Sequence, residues 1–318
     1  MKYYFIINPN AGKGTYTETL EENIRKSCDK RELTYEVYHT TAVFDATEFV
    51  KKIIADEKNL PARFYACGGD GTLGEVINGA IGASGVSVGV IPIGTGNDFV
   101  RNFSSGELFF DIDAQIDGKE EKIDLIKCND IYAVNMINIG FDCEVVKKKE
   151  VLNRHSFVPS KLAYIGGVVI TLAKKPGVSA SISCDGGEFV HKKCLLTTFA
   201  NGEFCGGGFH SNPEATLDDG VIDALFVENV SRTRFVSLVG SYKKGTHLVP
   251  KNEKILKNKK IKRVDFKFDA TQSASIDGEI FDFNELSIEI VPSAIDVVLP
   301  FGVDRNRAKK EEAEKVAL

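Results

Sequence analysis

The chain has 318 residues, 43% of them hydrophobic and 27% charged, with a formal net charge of −5. That length allows two ordinary domains, and the balance is that of a globular protein, not a disordered one. An acidic chain lacks the basic surface that nucleic-acid backbones require, so no nucleic-acid partner is expected. The seven cysteines are scattered and include no C-x-x-C pair, which argues against a disulfide framework or a zinc site and for reduced thiols in a cytoplasmic protein. The apolar start after Met1 is too short for a signal peptide. The most apolar long stretch, residues 162–173, falls short of the ~20 residues a spanning helix needs.

In chain order, residues 3–7 read as a strand and Asn8-Pro9-Asn10-Ala11-Gly12-Lys13-Gly14 as a loop. Residues 15–29 have helical character, 34–38 alternate as a strand, and 45–57 read as a helix with Asp45 as its N-cap. A strand over 63–67 runs into Gly68-Gly69-Asp70-Gly71-Thr72, and a helix over 73–80 follows. Residues 86–91 form another apolar strand, ending at Pro92-Ile93-Gly94-Thr95-Gly96-Asn97-Asp98. Strands alternating with helices predict an α/β N-terminal domain with a covered parallel sheet. Beyond residue 110 the pattern changes to short β-rich segments at 122–128, 131–136, 180–184, 194–200, 221–227, 264–268, 273–276 and 286–291. They predict a mainly antiparallel C-terminal β-sandwich, interrupted by a helix over 160–174. The charged tail, 305–318, reads as a helix.

Three Gly-rich loops follow strands. Gly68 to Thr72 carries the clearest signal: glycines let the backbone approach a phosphate, and a helix N-terminus offers free N–H groups and positive partial charge. Asp70 would act there through a metal or a water, because two anions repel. The competing reading is a tight turn with Thr72 as N-cap. Asn8 to Gly14 adds Lys13 but is not a Walker A loop. Ligands of open parallel sheets bind beyond the carboxyl ends of strands, so three such loops together predict a nucleotide site.

These loops also carry a family likeness. The chain resembles the diacylglycerol kinase catalytic-domain family, in particular the soluble bacterial lipid kinases related to sphingosine and ceramide kinases. The resemblance rests on Asn8-Pro9 with Gly12-Lys13, on Gly68-Gly69-Asp70-Gly71-Thr72-Leu73 with Glu75-Val76 and Asn78-Gly79, and on Gly94-Thr95-Gly96-Asn97-Asp98-Phe99. It continues through Asn138, Gly140-Phe141-Asp142, Asn201-Gly202, Gly206-Gly207-Gly208, Pro213, Ala215, Leu217-Asp218-Asp219-Gly220 and Asp277-Gly278-Glu279. It therefore covers nearly the whole chain.

The resemblance implies an NAD kinase- or phosphofructokinase-like nucleotide domain over 1–125, joined by a returning segment, 300–318, and a lipid-substrate domain over 126–299. It implies ATP at Asn8, Pro9, Asn10, Ala11, Gly12 and Lys13, at Thr40, at Gly68, Gly69, Asp70, Gly71, Thr72, Leu73 and Gly74, and at Thr95. It implies Asp277 as the base that takes the proton of a lipid hydroxyl, with Glu279 as its helper. A structural Mg2+ would sit near Asp219, with the carbonyls of Thr216 and Val221. The acceptor would be diacylglycerol or a relative, met at the membrane surface by peripheral contact. Two features depart from the family pattern: Gly74 stands where the family usually has Asn, and residues 209–212 are less typical.

Local sequence leaves other readings open. Asp277-Gly278 between two β-rich runs is an Asp-Gly hairpin turn, and Asp218-Asp219-Gly220 is a turn before a strand. The run of Lys243, Lys244, Lys251, Lys254, Lys257, Lys259, Lys260, Lys262 and Arg263 suits anionic lipid head groups and equally a solvated strand edge. Residues 162–172 suit a buried helix better than a lipid entrance. None of the five histidines has metal-ligand spacing. The rival functions are a phosphotransferase on a soluble acceptor, as in NAD kinases or phosphofructokinases, and a non-catalytic lipid or nucleotide sensor. A homodimer is expected only from its general frequency.

Overall fold

A computed structural model describes residues 1–14, 17–141, 143 and 177–305. The chain divides into two compact units, Met1–Leu125 with Pro292–Leu318, and Ile126–Val291. The helix expected over 160–174, the tail past Arg305 and Asp142 of the family pattern lie outside the described residues.

The first unit is built on β1 (Lys2–Ile7), β2 (Tyr35–His39), β3 (Ala62–Cys67) and β4 (Val86–Ile91). Strand β1 pairs in parallel with β2 and β3, and β3 pairs in parallel with β4. β3 and β4 are apolar almost throughout, as strands covered on both faces must be. The register sets Ile7 opposite His39 and Cys67, and Cys67 opposite Ile91, so these strand ends are level. Helix α1 (Thr17–Lys30) buries Leu20, Ile24 and Cys28, spaced one helical turn apart. They pack with Phe5, Tyr65, Ile91 and Val298. Each such aliphatic side chain contributes about 1.5–3 kcal/mol on burial.

Two expectations about helix starts are corrected. Helix α2 (Asp45–Ile54) is preceded by Phe44 at φ 65°, and Asp45 is its first residue, not its cap. The Asp45 carboxylate instead accepts from the Thr41 amide at 2.7 Å and from the Tyr38 hydroxyl at 2.8 Å, and these bonds hold it below the usual carboxylate range. The cap comes from elsewhere, since Glu75 accepts from the Ala46 amide at 3.2 Å. Helix α3 (Asp70–Ala80) starts three residues before the expected Leu73, with Gly69 as N-cap, so Thr72 lies inside its first turn. A Cβ on Gly79 would stand 2.8 Å from both the Thr47 carbonyl oxygen and the Val50 Cβ, so only glycine lets α2 and α3 approach this closely. Short helix α4 (Ile112–Ile116) is followed by β5 (Lys119–Cys128), which runs from the first unit into the second.

The second unit contains β6 (Ile131–Ala133), β7 (Met136–Gly140), β8 (Val178–Cys184), β9 (Val190–Ala200), β10 (Phe204–Cys205) and β11 (Phe209–His210). It continues with β12 (Ile222–Glu228), β13 (Leu256–Ile261), β14 (Arg263–Ile276) and β15 (Glu279–Leu299), the last returning to the first unit at Pro292. Pairings within this unit are antiparallel. Inward residues such as Ile137, Ile139, Phe199, Ala224, Phe266 and Ile288 form its core. The single strand expected over 131–136 is broken at residues 134 and 135, and the two expected over 264–268 and 273–276 are one strand with a register shift between Lys267 and Gln272. Helix α5 (Arg232–Lys243) is not legible from its mixed pattern, although its N-cap is ordinary: Ser231 accepts from the Arg234 amide at 3.2 Å.

All seven cysteines are free thiols. Burial pushes the Cys28 thiol up to about 11 and the Cys128 thiol to about 12, which makes both unreactive. No helix among the described residues is long and apolar enough to cross a membrane.

Candidate active site

The three Gly-rich loops emerge from the level ends of β1, β3 and β4 and are bonded to one another. Asn8 donates its side-chain amide to the Thr72 hydroxyl at 3.2 Å, and its Oδ1 accepts from the Asn10 amide at 3.0 Å. The Gly68 amide donates to the Ile91 carbonyl and the Gly94 amide to the Gly68 carbonyl, at 3.1 and 3.0 Å. Asp70 accepts from the Phe99 amide at 3.1 Å, tying the start of α3 to the third loop. That loop is held by Asn97 at φ 55°, whose side chain donates to the Pro92 and Gly94 carbonyls at 2.7 and 2.9 Å. Arg101 donates to the Gly96 carbonyl at 3.2 Å.

Close approach dictates one of these glycines and crowds a second. A Cβ on Gly94 would lie 2.4 Å from the Gly69 Cα, and one on Gly96 would lie 2.8 Å from the Asp70 Oδ2. A Cβ on Gly74 would meet nothing within 4 Å, so the missing Asn of the family pattern leaves open space rather than a repacked neighbour. No side chain caps α3, which leaves its first N–H groups and their positive partial charge to an anion. Asn8, Pro9, Ala11, Gly12, Gly69, Gly71, Gly74 and Thr95 are half-buried or exposed around these loops, while Thr72 and Leu73 are buried beneath them. Thr40 follows β2, and its amide donates to the Ile7 carbonyl at 2.9 Å. Lys13 lies in the short 3-10 turn Ala11–Gly14. The arrangement can hold a phosphate chain over level strand ends.

In the second unit, Asp277 and Gly278 form the two-residue tip between β14 and β15, with Ile276 opposite Glu279. Their φ values of 46° and 97° are those of a hairpin turn with both central residues left-handed. The Asp277 carboxylate accepts from the amides of Val134, Asn135 and Met136 at 2.6, 3.0 and 2.8 Å. Those donors are where the chain breaks between β6 and β7, so the carboxylate satisfies the amides that the interrupted strand leaves. Sequence reasoning missed this link, because nothing local connects residues 134–136 to residue 277.

The ligand set expected for Mg2+ meets a competing cation. Lys260 donates to the Asp219 Oδ2 at 2.7 Å and lies 3.4 Å from the Asp223 Oδ2, while the Asp219 Oδ1 accepts from the Val221 amide at 3.3 Å. Asp223 is 1% exposed and faces Lys260 across the β12–β13 pair. Burial raises the Asp223 carboxyl although Lys260 acts to lower it. Burial works against the charge of Lys260, but Asp219 and Asp223 outweigh it and raise the ammonium. Among the described residues, no group of three or more His, Cys, Asp or Glu side chains is arranged to hold a metal ion. The basic run is also divided by its partners. Lys257, Lys260 and Arg263 pair with Glu228, Asp219 and Asp265, whereas Lys243, Lys244, Lys251 and Lys254 are exposed at the end of α5 and just beyond it.

The diacylglycerol kinase catalytic domain matches residues 2–128, and the YegS C-terminal NAD kinase beta sandwich-like domain matches residues 135–299. The chain belongs to the diacylglycerol kinase catalytic-domain family. A diacylglycerol kinase of Bacillus subtilis (strain 168) is 28% identical over 86% of this chain and 88% of its own. One of Staphylococcus carnosus (strain TM300) is 29% identical over 86% and 87%. Among solved structures, a diacylglycerol kinase from Bacillus anthracis str. Sterne superposes with a TM-score of 0.68 at 19% identity, covering 94% of this chain and 97% of that one. An NAD kinase from Archaeoglobus fulgidus in complex with ATP gives a TM-score of 0.50 at 12% identity, covering 100% and 99%. These two structures speak for the fold, which has NAD kinase-like neighbours. Membership of this family makes the chain a kinase-type transferase of the lipid kinase group.

Proposed function

We propose that the chain transfers the γ-phosphoryl group of ATP to the hydroxyl of a membrane lipid, diacylglycerol or a close relative, in phospholipid metabolism. The observation that carries this reading is the set of three mutually bonded Gly-rich loops over level parallel strand ends, beside a helix N-terminus that no side chain caps. The phosphates of ATP would lie on the amides of Asp70, Gly71 and Thr72, with the loops at Asn8 to Lys13 and at Thr95 enclosing the nucleotide and Thr40 bordering it. Mg2+ would enter with the nucleotide as part of the substrate and would offset the charge of its phosphates.

Asp277 and Glu279 supply the carboxylates. A lipid hydroxyl is a poor nucleophile until a carboxylate takes its proton as it attacks. Three of the acceptor positions on Asp277 are engaged by backbone amides. Asp277 therefore holds the hairpin tip, and Glu279, two residues on, takes the proton. This assignment exchanges the roles that the family likeness first suggests.

The protein meets its lipid by peripheral contact. The exposed Lys243, Lys244, Lys251 and Lys254, with Val236 62% exposed on α5, suit an anionic bilayer surface. The deciding experiment is phosphate transfer from labelled ATP with Mg2+ to a panel of lipids in mixed micelles, with Glu279→Gln and Asp277→Asn alongside. Labelling of one lipid, lost in Glu279→Gln, supports the reading. Transfer only to soluble acceptors, or nucleotide binding without transfer, refutes it.

A further inference from the structure

The turn that carries Asp219 holds a cation of its own. Lys260 reaches from β13 to the Asp219 Oδ2 at 2.7 Å and to the Asp223 Oδ2 at 3.4 Å. Asp223 is 1% exposed, and neither of its carboxylate oxygens has a hydrogen-bond partner. A buried carboxylate in that state needs a positive neighbour, and the ammonium of Lys260 is the cation placed against it. Glu214 is near enough for its charge to act on Asp223, and its own carboxylate accepts from the Asn258 side chain at 3.1 Å. A divalent ion on Asp219 would have to share its carboxylate with this ammonium, and like charges a few ångströms apart exclude one another.

We propose that Lys260 is an internal counter-cation that takes the place of a divalent metal at the Asp219 turn, so that this chain closes the turn without metal and a metal site opens only when Lys260 is removed. Lys260 stands 41 residues from Asp219 and opposite Asp223 in the β12–β13 register, so it joins the turn to the sheet edge as a bound ion would. The proposal concerns this turn alone and stands independently of the lipid kinase reading.

The test reads metal binding and stability, not turnover. Protein stripped with EDTA is titrated with MgCl2 while its thermal midpoint is followed, and with MnCl2 while free Mn2+ is followed by electron paramagnetic resonance. The wild-type midpoint should not move with Mg2+. Lys260→Met should unfold at a lower temperature in EDTA, recover with Mg2+, and bind Mn2+ about tenfold more tightly or better, because a unit charge some 4 Å from a divalent ion has gone. Asp219→Asn in the Lys260→Met background should abolish that gain. Tight Mn2+ binding by the wild-type protein that Asp219→Asn removes would overturn the proposal without any Lys260 variant. So would a Lys260→Met protein that folds and gains no affinity. If Lys260→Met does not fold, Lys260→Gln replaces it and is read by the same outcomes.

Discussion

Asp70 accepts a hydrogen bond from the amide of Phe99 at 3.1 Å, so the first residue of α3 holds the loop that follows β4. The acidic residue of the Gly-Gly-Asp-Gly-Thr run is thus a brace between two of the Gly-rich loops. Asp70→Ala should lower stability by about 1.5–3 kcal/mol, the usual value of a hydrogen bond to a charged group, and should weaken nucleotide binding. Asp70→Asn keeps an acceptor oxygen and should retain most of that stability. Denaturant melts and nucleotide titration of the two variants check this, and equal losses would dismiss the brace.

Two glycines should respond in opposite ways. Gly94→Ala places a Cβ 2.4 Å from the backbone of Gly69, which has no flexible side chain to move away. It should abolish nucleotide binding even if the chain folds. Gly74→Ala meets open space inside a helix and should stabilise by about 0.5–1 kcal/mol through helix propensity. Thermal midpoints and nucleotide affinity, measured side by side, decide both.

Asp277 sits at φ 46° and accepts three amides. Asp277→Ala should cost about 3 kcal/mol or more, because buried amides lose their acceptor and Ala lacks the short polar side chain that lets Asp adopt the left-handed region. Asp277→Asn preserves the turn type and one acceptor and should fold. Glu279→Gln should leave the melting curve within about 0.5 kcal/mol while removing turnover. Full turnover by Glu279→Gln with none by Asp277→Asn would return the base to Asp277.

Acid should destabilise the second unit through His247. Its ring is fully buried, and burial, with His210 adding to it, holds the imidazole down at about 4. In the unfolded chain the group titrates near 6.5, so between about pH 6.5 and 4 the unfolded state binds a proton that the folded state refuses. Stability should therefore fall with pH across that window, by on the order of 3 kcal/mol from this residue. His247→Leu should flatten this part of the pH profile, whatever its effect on stability at neutral pH. An unchanged slope would rule out His247 as its source.

Vesicle sedimentation tests the basic surface. Binding should require anionic lipid, weaken with salt, and fall in Lys243→Glu/Lys244→Glu and in Val236→Asp, since each cation near such a surface adds about 1 kcal/mol. Lys257→Glu should lose less, because Lys257 already pairs with Glu228. Equal losses in all of these variants would refute the assignment to α5.

Much of the local structure of the candidate site was legible in the sequence because its signals are local. Glycines, a strand before them and a helix after them mark Gly68 to Thr72, and the Asp277-Gly278 turn follows from the φ values those two residues tolerate. The nearest neighbours in the chain dictate such features. The tertiary structure alone decided which groups the charged residues meet. Asp277 reaches amides 141 to 143 residues away, Lys260 reaches a carboxylate 41 residues away, and Glu75 caps a helix 29 residues before it. Those pairings depend on strand register and helix packing, which are set by how the whole hydrophobic pattern is buried and not by the residues that finally touch.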